Sequence, residues 1–394
     1  MRILFTAAVL TLCSFLSQAQ DSKIKPNKYP SLLWEITGKG LSKPSYLFGT
    51  MHVSNKMVFH LSDSFYTGIR NADVVALETN PESWQEDMSK YETSGYGGYS
   101  GRMGQPSDYL TINSLKFASY EKLIEARLHS NPSIINSFLY RSYEHGSDFE
   151  EDTYLDLYIF QVGKKWGKKL CGVENFDESM KLMKEAYADA AKDKSVKRRS
   201  FDYDEDFSTA RLQEAYRTGN LDLLDTINQL NSYSAAFDEK FLYKRNEIQA
   251  NNIDSILRTG STLFVGVGAA HLPGYRGVIE MLRRMGYTLR PIKMVERDSR
   301  HKEDVEKLRV PVSFVKQASP DGLFSVSTPG KLYSFLPEGS VVGQQQYADM
   351  ANGSYYMVTR IQTNAAFWGH NADAVYRKID SVLYENIPGK ILSK

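Results

Sequence analysis

The chain has 394 residues, of which 42% are hydrophobic, enough for an ordinary core in one large domain and one small one. Its 48 Lys and Arg stand against 47 Asp and Glu, for a formal net charge of +1. Such a balance gives no electrostatic case for binding nucleic acid or an anionic membrane.

Residues 1–20 read as a secretory signal. Arg2 is the basic start, Ile3–Leu16 the apolar core, and Ser17-Gln18-Ala19 a small-residue cleavage site. The apolar run is too short for a stable span, so no integral membrane segment is expected in the mature chain. Cys13 lies inside the run, but Leu12 suits a lipidated cysteine poorly. A soluble exported protein, periplasmic or secreted, is therefore favoured over a lipoprotein. Loss of Arg2 leaves 47 basic residues (48 less one) against 47 acidic ones. Loss of Cys13 leaves Cys171 alone, which excludes an intramolecular disulfide and a cysteine-based zinc site.

Residues 21–31 are polar and read as a tether. Leu32–Thr37 and Ser45–Phe48 predict strands joined by the turn at Gly38–Lys43, a hairpin. Leu61–Asn71 has helical spacing, and Asp73–Leu77 is a short buried strand ending at Glu78. Pro81–Tyr109 is rich in Gly, Ser and Tyr and reads as a mobile surface insertion, or alternatively as a lid over a substrate. Thr111–Ser142 and Glu150–Trp166 are helical in pattern, and Gly167 ends the second. Lys168–Val173 is a further strand, followed at once by Glu174 and a helix over Phe176–Ala191. The basic run Lys192–Arg199 reads as a solvated face. Phe207–Tyr216 and Leu221–Leu230 predict a helix pair around Thr218-Gly219-Asn220. Ala235–Arg258 is a long helix, Thr262–Gly268 a buried strand, Gly274–Met285 a helix and Tyr287–Ile292 a closing strand. This alternation predicts an α/β domain over 21–296, with a mainly parallel, helix-covered sheet. Residues 297–394 read as a small α+β module of unknown role, with a helix near Ala372–Tyr384 and an isolated His370.

The chemistry concentrates at strand ends. G-x-x-H occurs at Gly49/His52 and again at Gly268/His271, each time directly after a predicted strand. A histidine at a turn bonded to backbone is the bland reading of either copy alone; two copies in one context are harder to dismiss. Glu78 and Glu174 follow two more strands. If the four strands are parallel neighbours, all four side chains meet on the sheet edge where open α/β sheets bind ligands. Histidine with carboxylate suits a divalent Mn, Zn, Co or Fe ion. His52, His271 and Glu78 are the candidate ligands, with open positions for metal-assisted hydrolysis. Glu78 is also a candidate proton acceptor, with Glu174 and Arg245 in support. The bland alternatives are loop charges for the two glutamates and a surface ion pair for Arg245. H-E-x-x-H, G-x-S-x-G and the P-loop are absent, and GVGAAH lacks the third glycine of a dinucleotide fingerprint.

Several stretches resemble the TraB/PrgY/GumN family, relatives of the Tiki metalloproteases. They are YLFGTMHVS (46–54), DVVALE (73–78), KKLCGVENFDESM (168–180), YKRNEIQANNI (243–253) and LFVGVGAAHLPGYRGVIEMLRRMGYTLRPI (263–292). The resemblance implies an α/β fold of the erythromycin-esterase and ChaN-like group. It also implies two G-x-x-H motifs with a glutamate, here His52, His271 and Glu78, and an Arg-Asn helix pair, here Arg245-Asn246. It further implies divalent-metal-dependent cleavage of peptides or exposed protein segments. A metal-dependent esterase and a non-catalytic protein that sequesters peptides are the alternatives. The oligomeric state is left open, and the Gly/Tyr-rich insertion and the C-terminal module depart from the family pattern.

Overall fold

The computed structural model describes residues 28–51, 61–92, 155–193, 209–232, 234–293, 300–319, 322–334 and 342–361. The hairpin forms as expected from β1 (Leu33–Gly38) and β2 (Ser45–Thr50), in the register Leu33↔Phe48 to Ile36↔Ser45. α1 (Asp63–Asn71) leads to β3 (Val74–Leu77). α2 (Trp84–Glu92), α3 (Leu155–Lys165), β4 (Lys169–Gly172) and α4 (Phe176–Lys192) follow. Then come α5 (Thr209–Arg217), α6 (Leu221–Asn231), the short α7 (Ala235–Asp238) and α8 (Lys244–Arg258). β5 (Leu263–Gly268), α9 (Val278–Arg284) and β6 (Tyr287–Ile292) complete the domain.

These strands make one six-stranded sheet in the order β4-β3-β5-β2-β1-β6. The β4–β3, β3–β5 and β5–β2 pairs are parallel, and β1 runs antiparallel to both β2 and β6. The sheet is therefore mixed and mostly parallel, with helices packed on it. The central strands explain the pattern: every residue of β3 and β5 is buried, as a continuous apolar run covered on both faces requires. Phe65 packs edge-on to Phe48 and Phe264 at the centre, its ring centroid 5.0 Å from that of Phe48 and 5.3 Å from that of Phe264. α1 supplies Phe65 and Ile69 to this core along one face.

Part of the 81–109 segment departs from the reading as surface insertion. Residues 84–92 are helical, Trp84 is 3% exposed, and its indole N–H donates to Thr79 Oγ1 at 2.8 Å. Every glycine of the segment lies beyond residue 92 and masks this helical start in a composition-based reading. Residues 93–109, the helix expected over 111–142, the signal segment, His52 and the helix near 372–384 lie outside the described residues.

Downstream, α10 (His301–Lys307) precedes the pair β7 (Val315–Ala318) and β8 (Ser325–Thr328). β9 (Tyr333–Ser334), β10 (Val342–Asp349) and β11 (Ser354–Ile361) form an antiparallel sheet. The tip of the β10–β11 hairpin is tied to the α/β layer. Ala348, Met350 and Ala351 join the same hydrophobic core as β3 and α3. The Gln85 side chain donates to Ala348 O at 2.8 Å and accepts from Ala348 N at 2.6 Å, and Gln161 donates to Met350 O at 3.0 Å. These amides satisfy backbone groups that the turn would otherwise bury without partners.

Candidate functional site at the carboxyl end of the parallel strands

The strand order places the ends of β4, β3, β5 and β2 side by side, so Glu78, Glu174 and His271, which follow three of them, share one sheet edge. The end of β2 packs directly against the second G-x-x-H segment: a Cβ added at Gly49 would lie 3.2 Å from Ala269 Cα and Cβ. Tyr216 of α5 ties down the end of β2 by donating to Gly49 O at 2.9 Å. The second turn is a short 3-10 segment, Ala269–His271, that buries His271. The loops carrying the two glutamates are joined by backbone. Val173 N donates to Leu77 O at 2.8 Å and Glu174 N to Glu78 O at 2.6 Å, extending the β3–β4 ladder past the strands. A Cβ at Gly172 would meet only backbone there, 2.9 Å from Asn80 N and 3.0 Å from Glu174 O and Thr79 Cα.

Arg245 reaches this edge from the long helix expected over 235–258. That helix is interrupted at Glu239–Tyr243 by a π turn, in which Lys244 N donates to Glu239 O. The extra residue re-phases the helix, and Arg245, Asn246 and Gln249 are buried. Arg245 Nε donates to Glu174 Oε2 at 2.9 Å, and its terminal nitrogen to Glu78 Oε2 at 2.7 Å. One guanidinium edge thus bridges two carboxylates. Ser179 also donates to Glu174 Oε2, and Gln249 donates to Glu174 Oε1 at 2.5 Å. Glu78 Oε1 accepts from Gly268 N at 2.7 Å and lies 3.5 Å from His271 Nε2.

Asn246 fixes the imidazole. Its Nδ2 donates to Arg276 O at 2.8 Å, so its Oδ1 faces His271 Nδ1 at 2.6 Å as an acceptor. His271 therefore carries its proton on Nδ1, and in the neutral ring the lone pair is on Nε2, the nitrogen beside Glu78.

Burial pushes the Glu174 carboxyl above its ordinary range; Arg245 opposes the shift and Glu78 adds to it. Burial alone would weaken the charge of Arg245, but Glu78 and Glu174 hold its pKa above the usual guanidinium value. With both carboxylates ionised, the cluster holds two negative charges around one positive one. The nitrogen lone pair and carboxylate oxygen 3.5 Å apart repel unless a proton or a metal ion lies between them. Glu78, Glu174 and His271 offer ligand atoms within 4.8 Å of one another, a group that could hold a metal ion. One nitrogen and carboxylate oxygens suit a borderline divalent ion, so the residues fit such a group.

The two carboxylates differ in access. The Glu174 side chain is 1% exposed and takes donors from three residues, whereas that of Glu78 is 15% exposed and lines a cleft. That cleft runs from the strand ends out between α4, α6 and the π turn. Thr50 and Asp156 line it too, with Thr50 Oγ1 donating to the buried Asp156 at 2.6 Å.

Sequence reading thus named Glu78, Glu174, Arg245 and His271, which the structure brings together; His52 lies outside the described residues. It missed Gln249, Ser179 and Asp156. Gln249 is one helical turn from Arg245, and Asp156 is an acidic residue in an otherwise apolar stretch of α3, a detectable signal. Ser179 carries none.

Residues 32–291 match the TraB/PrgY/gumN family. The chain belongs to that family. It has no match among curated proteins and none among solved structures. Among the described residues of this TraB/PrgY/gumN member, no helix is long and apolar enough to cross a membrane.

Proposed function

We propose that this protein is an exported, metal-dependent hydrolase of peptides or exposed protein segments, with a fold of the erythromycin-esterase and ChaN-like group. The observation that carries the reading is the His271 Nε2–Glu78 Oε1 pair, 3.5 Å apart in a cleft and backed by Arg245 and Glu174. His271 and Glu78, together with His52, would hold a Mn, Zn, Co or Fe ion. When bound, the ion supplies Lewis acidity toward a carbonyl oxygen and lowers the pKa of water. The remaining roles belong to the chain. Asn246 holds the His271 tautomer, Glu174 anchors Arg245, and Arg245 orients Glu78. Glu78 is the carboxylate that reaches the cleft and can take a proton from a nucleophile.

The test is elemental analysis of wild type beside a His52→Ala/His271→Ala variant, after incubation with each ion. The expected result is about one ion per chain in wild type, as the one such cluster among the described residues implies, and none in the variant. Absence of metal from both would sink this reading. Glu78→Gln should lower metal affinity about 10- to 100-fold or more while leaving the fold intact.

A further inference from the structure

One wall of the cleft is mainly apolar, and touches the charged cluster only where Arg245 lies over the Phe241 ring and donates to its carbonyl at 3.5 Å, and where Ser179 bonds Glu174. α4 turns Phe176, Met180 and Met183 into the cleft, while Asp177, Glu178, Lys181 and Lys184 do not line it. Trp84 and Met51 continue the surface, and Phe241 of the π turn closes it. Phe241 is held by stacking on Phe237, centroids 4.6 Å apart, with Tyr187 of α4 edge-on to Phe237 at 5.2 Å. This joins α4 to the helix that carries Arg245. Met180, Met183 and Phe241 are only half-buried, so their remaining apolar surface is turned to the cleft. The charged residues lining the cleft, among those described, are Glu78, Asp156 and Arg245.

We infer that this wall is a specificity pocket that seats one large apolar side chain of the substrate, Phe, Leu or Met, beside the bond presented to Glu78 and His271. The inference rests on the hydrolase reading for the word substrate, but the pocket itself is a binding property. Three methionines line it, unbranched and polarizable side chains that adapt to apolar groups of different shape. Removing a large apolar side chain from water against them favours binding about tenfold to hundredfold. An Asp or Lys side chain placed against these apolar side chains would lose hydration that they cannot replace, which disfavours binding.

The test uses the full chain with Mn2+ and capped hexapeptides Gly-Gly-X-Ala-Gly-Gly, where X is Phe, Leu, Met, Asp or Lys. Binding is read by calorimetry and turnover by mass spectrometry. Peptides with apolar X should bind, and be turned over, about tenfold to hundredfold better than those with Asp or Lys. Met180→Lys and Met183→Lys should each erase most of that preference without changing metal content. Met180→Leu should retain it, which guards against loss through misfolding. Equal handling of all X, no binding of any apolar member, or a preference untouched by both lysine variants would overturn the pocket. Selective binding with no turnover would sink the hydrolase and leave the pocket standing. Unselective turnover would do the reverse.

Discussion

The parallel pair β3–β5 is closed at both ends by a carboxylate from the β3 side that accepts from backbone on the β5 side, and the two closures are built differently. At the amino end Asp73 Oδ2 accepts from Thr262 N at 2.9 Å and Thr262 Oγ1 at 2.7 Å. At the carboxyl end Glu78 Oε1 accepts from Gly268 N at 2.7 Å. Asp73 is exposed and its partners are neutral, and the Thr262 hydrogen bonds hold its pKa below the ordinary carboxylate value. Glu78 instead shares a guanidinium with a second, enclosed carboxylate that burial pushes upward. The amino end shows that joining these strands needs nothing more than a solvated Asx-type contact. The buried charge at the other end is more than joining the strands requires, as the proposed site would demand.

The largest test of that contrast is Arg245→Met. Removing the guanidinium leaves two carboxylates facing each other in a site that is largely out of water. The expected cost is about 3–5 kcal/mol, read as a fall in urea midpoint. Adding Glu174→Gln should recover part of the loss, because the like-charge term is then gone. A cost below about 1 kcal/mol, typical of an exposed pair, would mean the carboxyl end is no more charged in its energetics than the amino end.

A smaller effect separates shape from charge. Gly172→Ala changes no charge but drives a methyl to 2.9 Å from Asn80 N, against the backbone that links the two glutamate loops. Overpacking of this kind costs about 1–3 kcal/mol. The loops cannot both keep their register with the methyl present, so metal affinity should fall along with stability. A variant with wild-type metal affinity would show that the two loops are not rigidly coupled.

What the sequence made visible follows from periodicity and local motif. The continuous apolar runs at β3 and β5, the hairpin at β1–β2 and the helix over 235–258 were all legible, because each is set by neighbours in the chain. So was the convergence of Glu78, Glu174 and His271, since strands followed by turns in a parallel sheet must share an edge. The connections that give the site its electrostatics were not legible. Whether Arg245 faces solvent or the cleft depends on the phase of its helix, and the π turn at Glu239–Tyr243 changes that phase without a sequence signature. Ser179 and Gln249 meet Glu174 only once α4 and α8 are packed. The embrace of Ala348 by Gln85 joins residues 263 apart, beyond any local pattern.

The smallest effect is expected at the amino end, where pH reads it. A carboxyl whose folded pKa lies below its unfolded value of 3.8 binds fewer protons when folded, so it stabilises the fold above that value. The contribution is lost as pH falls through the folded pKa. Asp73→Asn should therefore cost about 0.5–1 kcal/mol at neutral pH, the scale of an exposed hydrogen-bonded carboxylate. The difference between wild type and variant should stay constant down to about pH 5 and shrink below pH 4, as the wild-type carboxyl protonates. Glu174 runs the other way. Its folded pKa is raised, so acidification from neutral pH adds protons to the folded state first, and its contribution to stability grows as pH falls toward the unfolded value. Urea midpoints across pH 3 to 8 for wild type, Asp73→Asn and Glu174→Gln would read both slopes. Opposite signs are expected for the two ends of one strand pair, and slopes of the same sign would remove the distinction between a carboxylate that closes a sheet and one held for chemistry.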